Sequence, residues 1–163
     1  VVALRKRLLE QKAVLELAEL AKMVRSAKLP GLVMDDQDAA KTGHWTGSSY
    51  GHPVDGASIH DANGEKGNLS VRYTMKVPKT GLYEVRLSYA SAPNRASNVP
   101  VTIHHSDGEA STKVNQKQVP PIDQLFIPLG VFRFEQDKPA VITIENADTD
   151  GIVGADAVQL IAK

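Results

Sequence analysis

Leu129-Gly130-Val131-Phe132-Arg133-Phe134, followed by Val153-Gly154-Ala155-Asp156-Ala157-Val158-Gln159-Leu160, is the stretch on which the reading of the fold turns. An aromatic-apolar strand, a polar turn and a closing strand with one carboxylate among small apolar residues describe a β-sandwich that finishes inside its own core. Working outward, Leu69, Val71, Tyr73, Met75 and Val77 alternate with Ser70, Arg72, Thr74 and Lys76, the period of a half-buried strand. Tyr83, Val85, Leu87 and Tyr89 repeat the alternation after the turn Pro78-Lys79-Thr80-Gly81, and Val99, Val101 and Ile103 repeat it again. Ser106-Asp107-Gly108-Glu109 reads as a hairpin turn. Further strands are expected at about 111–116, 125–134, 140–146 and 152–161. Short strands punctuated by Gly, Pro, Asn and Asp, with no helices between them, predict an all-β antiparallel sandwich.

Residues 2–27 have a different character. Leu4, Leu8, Leu15, Leu20 and Val24, interspersed with Arg5, Lys6, Arg7, Glu10, Lys12 and Glu16, predict an amphipathic helix. Its leucine face is expected to lie against the sandwich or against another chain. Periodicity leaves open whether this is one helix or two with a kink near Ala13; Leu29-Pro30-Gly31 breaks it. The chain thus divides into a helical segment or linker, 1–30, and a β-sandwich, 31–163. It opens on Val1-Val2 rather than Met and reads as a piece of a larger protein. Residues 36–68 are the least regular part and hold the only tryptophan, Trp45.

Composition narrows the function classes. A chain of 163 residues with 42% hydrophobic and 23% charged residues can bury a real core. A net charge of zero argues against nucleic-acid binding, and no apolar run is long enough to span a membrane. The absence of cysteine removes zinc-thiolate sites and thiol nucleophiles.

Catalytic motifs fail on context. Gly47-Ser48-Ser49-Tyr50-Gly51 matches G-x-S-x-G, but His52-Pro53 follows where a nucleophile elbow needs a helix, so Ser49 reads as a loop residue. Asn146-Ala147-Asp148-Thr149-Asp150-Gly151 opens like an EF-hand, yet Ala157 stands where the bidentate Glu belongs; a β-turn is the better reading. His104 and His105 are adjacent on a strand and point to opposite faces. No G-x-G-x-x-G is present.

The two C-terminal strands, together with Gly81-Leu82-Tyr83-Glu84-Val85-Arg86-Leu87-Ser88-Tyr89 and Ala92-Pro93-Asn94-Arg95-Ala96-Ser97-Asn98-Val99-Pro100-Val101, resemble the golvesin C-terminal domain family. Such domains are also found appended to bacterial xanthan lyases and some flavin-dependent oxidoreductases. The resemblance covers roughly residues 31–163. It implies a jelly-roll sandwich acting as a non-catalytic, carbohydrate-binding-like accessory module of a larger secreted enzyme, hence an extracellular or periplasmic place. The helical tail Leu4-Arg5-Lys6-Arg7-Leu8-Leu9 resembles the arrangement in the FAD-dependent oxidoreductases of this type; a polysaccharide lyase is the other parent implied. The implied partners are carbohydrate and the parent enzyme domain, not nucleic acid or membrane. A purely structural domain that docks the helix or the parent is the alternative, and a small lyase or hydrolase is the third class.

Candidate binding residues follow. Trp45, Tyr50, Asn94 and Arg95 offer aromatic planes for the C–H faces of sugars and polar groups for hydroxyls or uronates, while Trp45 can equally close one end of the core. The loop 92–98 is expected near Trp45; the competing reading has Arg95 pinning the loop through Asp36 or Asp156. No cofactor is expected for this piece beyond a structural calcium. In related sandwich modules the first and last strands are neighbours and a structural calcium lies near their ends, which implies Asp35, Asp36 and Asp156 as its ligands. The alternative is that Asp36 caps a turn and Asp156 pairs with a backbone amide or an arginine.

Overall fold

The computed structural model describes residues 1–163. After a helix α1, Val2–Lys22, come strands β1 (Leu32–Asp35), β2 (Ala40–Thr42), β3 (Thr46–Ser48), β4 (Ser58–His60), β5 (Ser70–Met75) and β6 (Gly81–Ser88). The second half supplies β7 (Val99–His105), β8 (Gly108–Val114), β9 (Phe126–Phe134), β10 (Ala140–Glu145), β11 (Gly154–Ala155) and β12 (Ala157–Ala162). They form a four-stranded sheet β1-β12-β6-β9, a five-stranded sheet β2-β5-β10-β7-β8 and a small sheet β11-β4-β3. Every named strand pairing is antiparallel. The β-sandwich expected from the alternating pattern is what the chain forms.

The alternation explains the core. Val71, Tyr73 and Met75 of β5, Val85 and Leu87 of β6, Val101 and Ile103 of β7, and Ile142 and Ile144 of β10 are all buried and share one hydrophobic cluster. Burying such side chains contributes about 1.5–3 kcal/mol each, so the two larger sheets are held face to face mainly by this layer. β1 and β12 pair with Met34 opposite Val158 and Asp35 opposite Ala157. The first and last strands are therefore neighbours, and Asp156, in the break between β11 and β12, is brought to the end of β1.

The segment 36–68, irregular in sequence, contains three short strands and two 3-10 turns. Strands of three residues such as Thr46–Ser48 are too short to show a period. One polar network pins this segment to the sandwich. Asn146 is fully buried; its Oδ1 accepts from the Gly67 and Leu69 amides, and its Nδ2 donates to Asp61 and to the Gly64 carbonyl. Asp61 is held further by the Asn63 and Val153 amides and by Lys66 at 2.7 Å.

The helix is shorter than expected and does not lie on the sandwich. It is continuous past Ala13 but stops at Lys22, because the next residues dock on the sandwich instead. Asp55 accepts from both the amide and the hydroxyl of Ser26 and donates its own amide to the Val24 carbonyl, while Val24 and Leu29 pack on the small cluster Val54, Phe126 and Ala157. These tertiary contacts override helix propensity beyond residue 22. Nor do the leucines pack on the sandwich: no residue of α1 is buried, and Leu4 and Leu15 remain 64% and 66% exposed. At about 100° per residue, Leu4, Leu8 and Leu15 fall on one side, whereas Val2, Leu9 and Leu20 fall well round the cylinder. No single face gathers the apolar residues, so one flat sheet could not cover them all.

Candidate functional site

Asp35, Asp36 and Asp156 meet at the junction of β1 and β12. One carboxylate oxygen from each lies within 4.8 Å of the others. All three residues are at least 96% buried, Asp156 being 1% exposed and Asp35 and Asp36 4% each. Asp156 Oδ2 accepts from the Val54 amide at 3.0 Å and from Ser88 Oγ at 2.8 Å. Asp35 Oδ2 accepts from the Gln37 amide at 3.3 Å, so Asp35 rather than Asp36 caps the turn Asp36–Asp38. The backbone amide proposed as the alternative partner of Asp156 is real, and the arginine is not: Arg95 pairs with neither Asp36 nor Asp156.

The other oxygen of each carboxylate, Oδ1 in all three, is buried without a hydrogen-bond partner. Burial raises Asp35 to about 6, and raises Asp36 and Asp156 to about 7; repulsion from Asp35 adds to it at Asp36 and from Asp35 and Asp36 at Asp156, while Asp55 and Asp38 add to it at Asp35. Lys41 counteracts this only at Asp36, and its ammonium donates to the Asp36 carbonyl rather than to the carboxylate. Unpartnered buried carboxylate oxygens are costly. Two oxygens bound to a common Ca²⁺ at 2.3–2.6 Å lie at most about 5 Å apart, so this spacing fits a shared hard cation.

The binding residues expected from sequence do not all assemble. Trp45 is a core residue, 9% exposed, with its indole N–H donated to the Thr42 carbonyl at 3.2 Å, and is corrected out of the binding set. Sequence cannot tell a loop tryptophan that seals a core from one that faces solvent. Tyr50, Asn94 and Arg95 do come together, lining a hollow of about 410 Å³ with Ala92 and Pro93. The loop 92–98 thus meets Tyr50, where Trp45 was expected.

Tyr50 is 56% exposed and also borders a second hollow of about 500 Å³. That hollow runs past His52, Ser91, Asp123 and Gln124 to a floor of Ser88, Tyr89 and Asp156. Tyr89 is buried, donates its hydroxyl to the Gln118 carbonyl at 2.9 Å, and is pushed up to about 12 by burial. The loop 119–125, which sequence reasoning passed over, supplies one wall, and its Asp123 and Gln124 have left-handed backbone. Ser49 is exposed in this loop region with no helix after it, as expected of a loop. His104 and His105 separate as expected: His104 lies 3.2 Å from Glu109, while His105 stacks on Phe132.

The fold is an antiparallel β-sandwich with its first and last strands side by side and a cleft at one loop end. Residues 32–162 match the Golvesin C-terminal domain, and the chain belongs to that family. It is 33% identical over 142 residues to the xanthan lyase of Bacillus sp. (strain GL1), covering 83% of this chain and 15% of that protein. The solved Paenibacillus xanthan lyase superimposes with a TM-score of 0.73 at 37% identity, over 80% of this chain and 13% of the lyase. The family 35 carbohydrate binding module from Clostridium thermocellum has the same fold, with a TM-score of 0.57 at 14% identity, over 80% of this chain and 98% of that one. The chain therefore spans a small fraction of the lyases it matches. No helix is long and apolar enough to cross a membrane.

Proposed function

We propose that the domain is a non-catalytic accessory module that binds carbohydrate for a larger, extracellular enzyme. The observation that carries this reading is the Tyr50 ring, standing exposed between two hollows whose mainly apolar walls carry a few polar side chains, among them His52, Gln124, Asn94 and Arg95. An exposed aromatic plane flanked by hydrogen-bonding side chains suits the C–H face and the hydroxyls of a sugar. The lyase relatives and the fold shared with a carbohydrate binding module support it. They also favour a polysaccharide-acting parent; a flavin-dependent oxidoreductase parent rests on the helical tail alone.

The acidic triad fits a structural calcium. Asp35, Asp36 and Asp156 would hold the ion, which would supply positive charge to the unpartnered oxygens and tie β1 to β12. Affinity electrophoresis through gels containing soluble polysaccharides tests the binding reading. The wild-type protein should be retarded by at least one glycan and Tyr50→Ala should not, with both melting alike. Free migration through every polysaccharide, or retardation indifferent to Tyr50, would favour the structural alternative, a domain that only docks its parent.

A further inference from the structure

We propose that Arg95 binds a carboxylate carried by the saccharide, making the module selective for acidic sugars; this rests on the carbohydrate reading above. Arg95 is 7% exposed, yet it is not engaged as a buried arginine ordinarily is. Its Nε donates to the Ala90 carbonyl at 3.0 Å, and no carboxylate lies within ion-pair distance of it. The two terminal nitrogens have no acceptor in the protein and are not sealed from solvent; the side chain lines the hollow beside Tyr50 and Asn94.

The nearby acid that could neutralise it is already committed. Asp61 lies close enough to favour the charged guanidinium, but its oxygens are taken by Lys66, Asn146 and the Asn63 and Val153 amides. His60, also nearby, offers no negative charge; burial and Arg95 itself hold it below the usual histidine range. The fork of terminal donors is thus left for an acceptor from outside.

The backbone that carries it is fixed on both sides. The Ala96 amide donates to the Ile152 carbonyl at 2.8 Å, the Ile152 amide to the Asn94 carbonyl at 3.0 Å, and the Gln116 amide to the Ala96 carbonyl at 2.9 Å. Ser97 and Asn98 are tied in turn to Asp150 and Asp148. A planar donor fork held in place with its stem buried loses little freedom when it meets a carboxylate, the partner its geometry matches with two parallel hydrogen bonds. Tyr50 would support the ring while Arg95 reads its acidic substituent.

Isothermal titration of the wild-type protein with oligogalacturonate or glucuronate-containing oligosaccharides, before and after chemical reduction of their carboxyls to alcohols, tests this without any variant. The expected result is a loss of about ten-fold or more in affinity on reduction of the ligand that binds. Arg95→Lys should reproduce that loss for the acidic ligand and leave affinity for its reduced form unchanged. Equal binding of acidic and reduced forms by the wild type would overturn the role of Arg95 while leaving the carbohydrate reading intact. Binding of neither form, in a protein that gels retard with neutral glycans, overturns the selectivity alone; binding of no glycan at all removes both.

Discussion

The carboxylate of Asp156 accepts the amide of Val54 across a sequence separation of 102 residues, at 3.0 Å, in a buried site at the floor of the larger hollow. With Ser88 Oγ donating to the same oxygen, Asp156 joins the last strand, the irregular segment before β4 and the end of β6. Its other oxygen faces Asp35 and Asp36 without a partner. One side chain thus serves a hydrogen-bonded joint on one side and the proposed cation site on the other, and substitutions can separate the two.

Asp156→Ala removes both and leaves buried donors at Val54 and Ser88, each worth about 1–3 kcal/mol when unsatisfied. Asp156→Asn keeps an oxygen for those donors but removes the charge. In excess calcium both variants should melt below wild type, Asp156→Ala furthest. In chelator at pH 8, Asp156→Asn should equal or exceed wild type, because repulsion among the acids is relieved. Thermal melts with and without calcium check this; a wild-type melting temperature indifferent to the ion removes the calcium site.

The pH dependence follows from the same triad. Folding raises these carboxyls from 3.8 to about 6 for Asp35 and about 7 for Asp36 and Asp156, chiefly through burial. Between those values the folded state holds protons that the unfolded chain has released, so stability falls as pH rises. For these groups the metal-free protein should be most stable below about pH 4 and lose stability progressively up to about pH 7. Calcium, which needs the ionised carboxylates, should flatten or reverse that slope. Denaturant titrations across the range in chelator and in calcium give the sign directly.

Removal of residues 1–22 should change stability by no more than about 0.5–1 kcal/mol, since no residue of α1 is buried. A leucine face lying against the sandwich would instead make such a truncation expose apolar surface. In the structure the exposed apolar surface belongs to the helix: Leu4, Leu8, Leu9, Leu15 and Leu17 are each at least 57% exposed. Deleting it should reduce self-association, which sedimentation velocity would detect. A large drop in melting temperature would mean that the helix braces the sandwich after all.

What could be read from the chain beforehand follows a physical line. Residues such as Tyr73, Val85 and Ile103 announced their burial because a half-buried strand writes its two faces into sequence with period two. The meeting of Asp156 with Asp35 and Asp36 was implied by the family resemblance, which makes the first and last strands neighbours; alternation alone does not fix strand order. Trp45 was ambiguous because one residue type serves both core and surface. The pairing of Tyr50 with Arg95 joins two loops distant in sequence, and no local pattern records which loops converge. The docking of residues 23–29 depends on Asp55, whose left-handed backbone and hold on Ser26 are tertiary facts.

Gly151 provides a test of how Arg95 is positioned that leaves the guanidinium itself untouched. A Cβ at residue 151 would stand 2.8 Å from both the carbonyl carbon and oxygen of Arg95 and 2.9 Å from the Ala96 nitrogen. These are backbone atoms of a segment pinned through the Ala96 amide to the Ile152 carbonyl and through the Ala96 carbonyl to the Gln116 amide, so they cannot swing aside as a flexible side chain would. Gly151→Ala must therefore push the loop 94–98 away from the turn 146–151, straining the links from Ser97 and Asn98 to Asp150 and Asp148. Overpacking of this kind costs about 1–3 kcal/mol. The larger consequence should be for binding, because moving Arg95 by a fraction of an ångström spoils a two-pronged contact more than it spoils stacking on Tyr50. Acidic-ligand affinity should fall well beyond any loss for neutral glycans, and melts should show the protein still folded. Equal losses for acidic and neutral ligands would mean that the loop shapes the cleft as a whole and that the position of Arg95 confers no preference of its own.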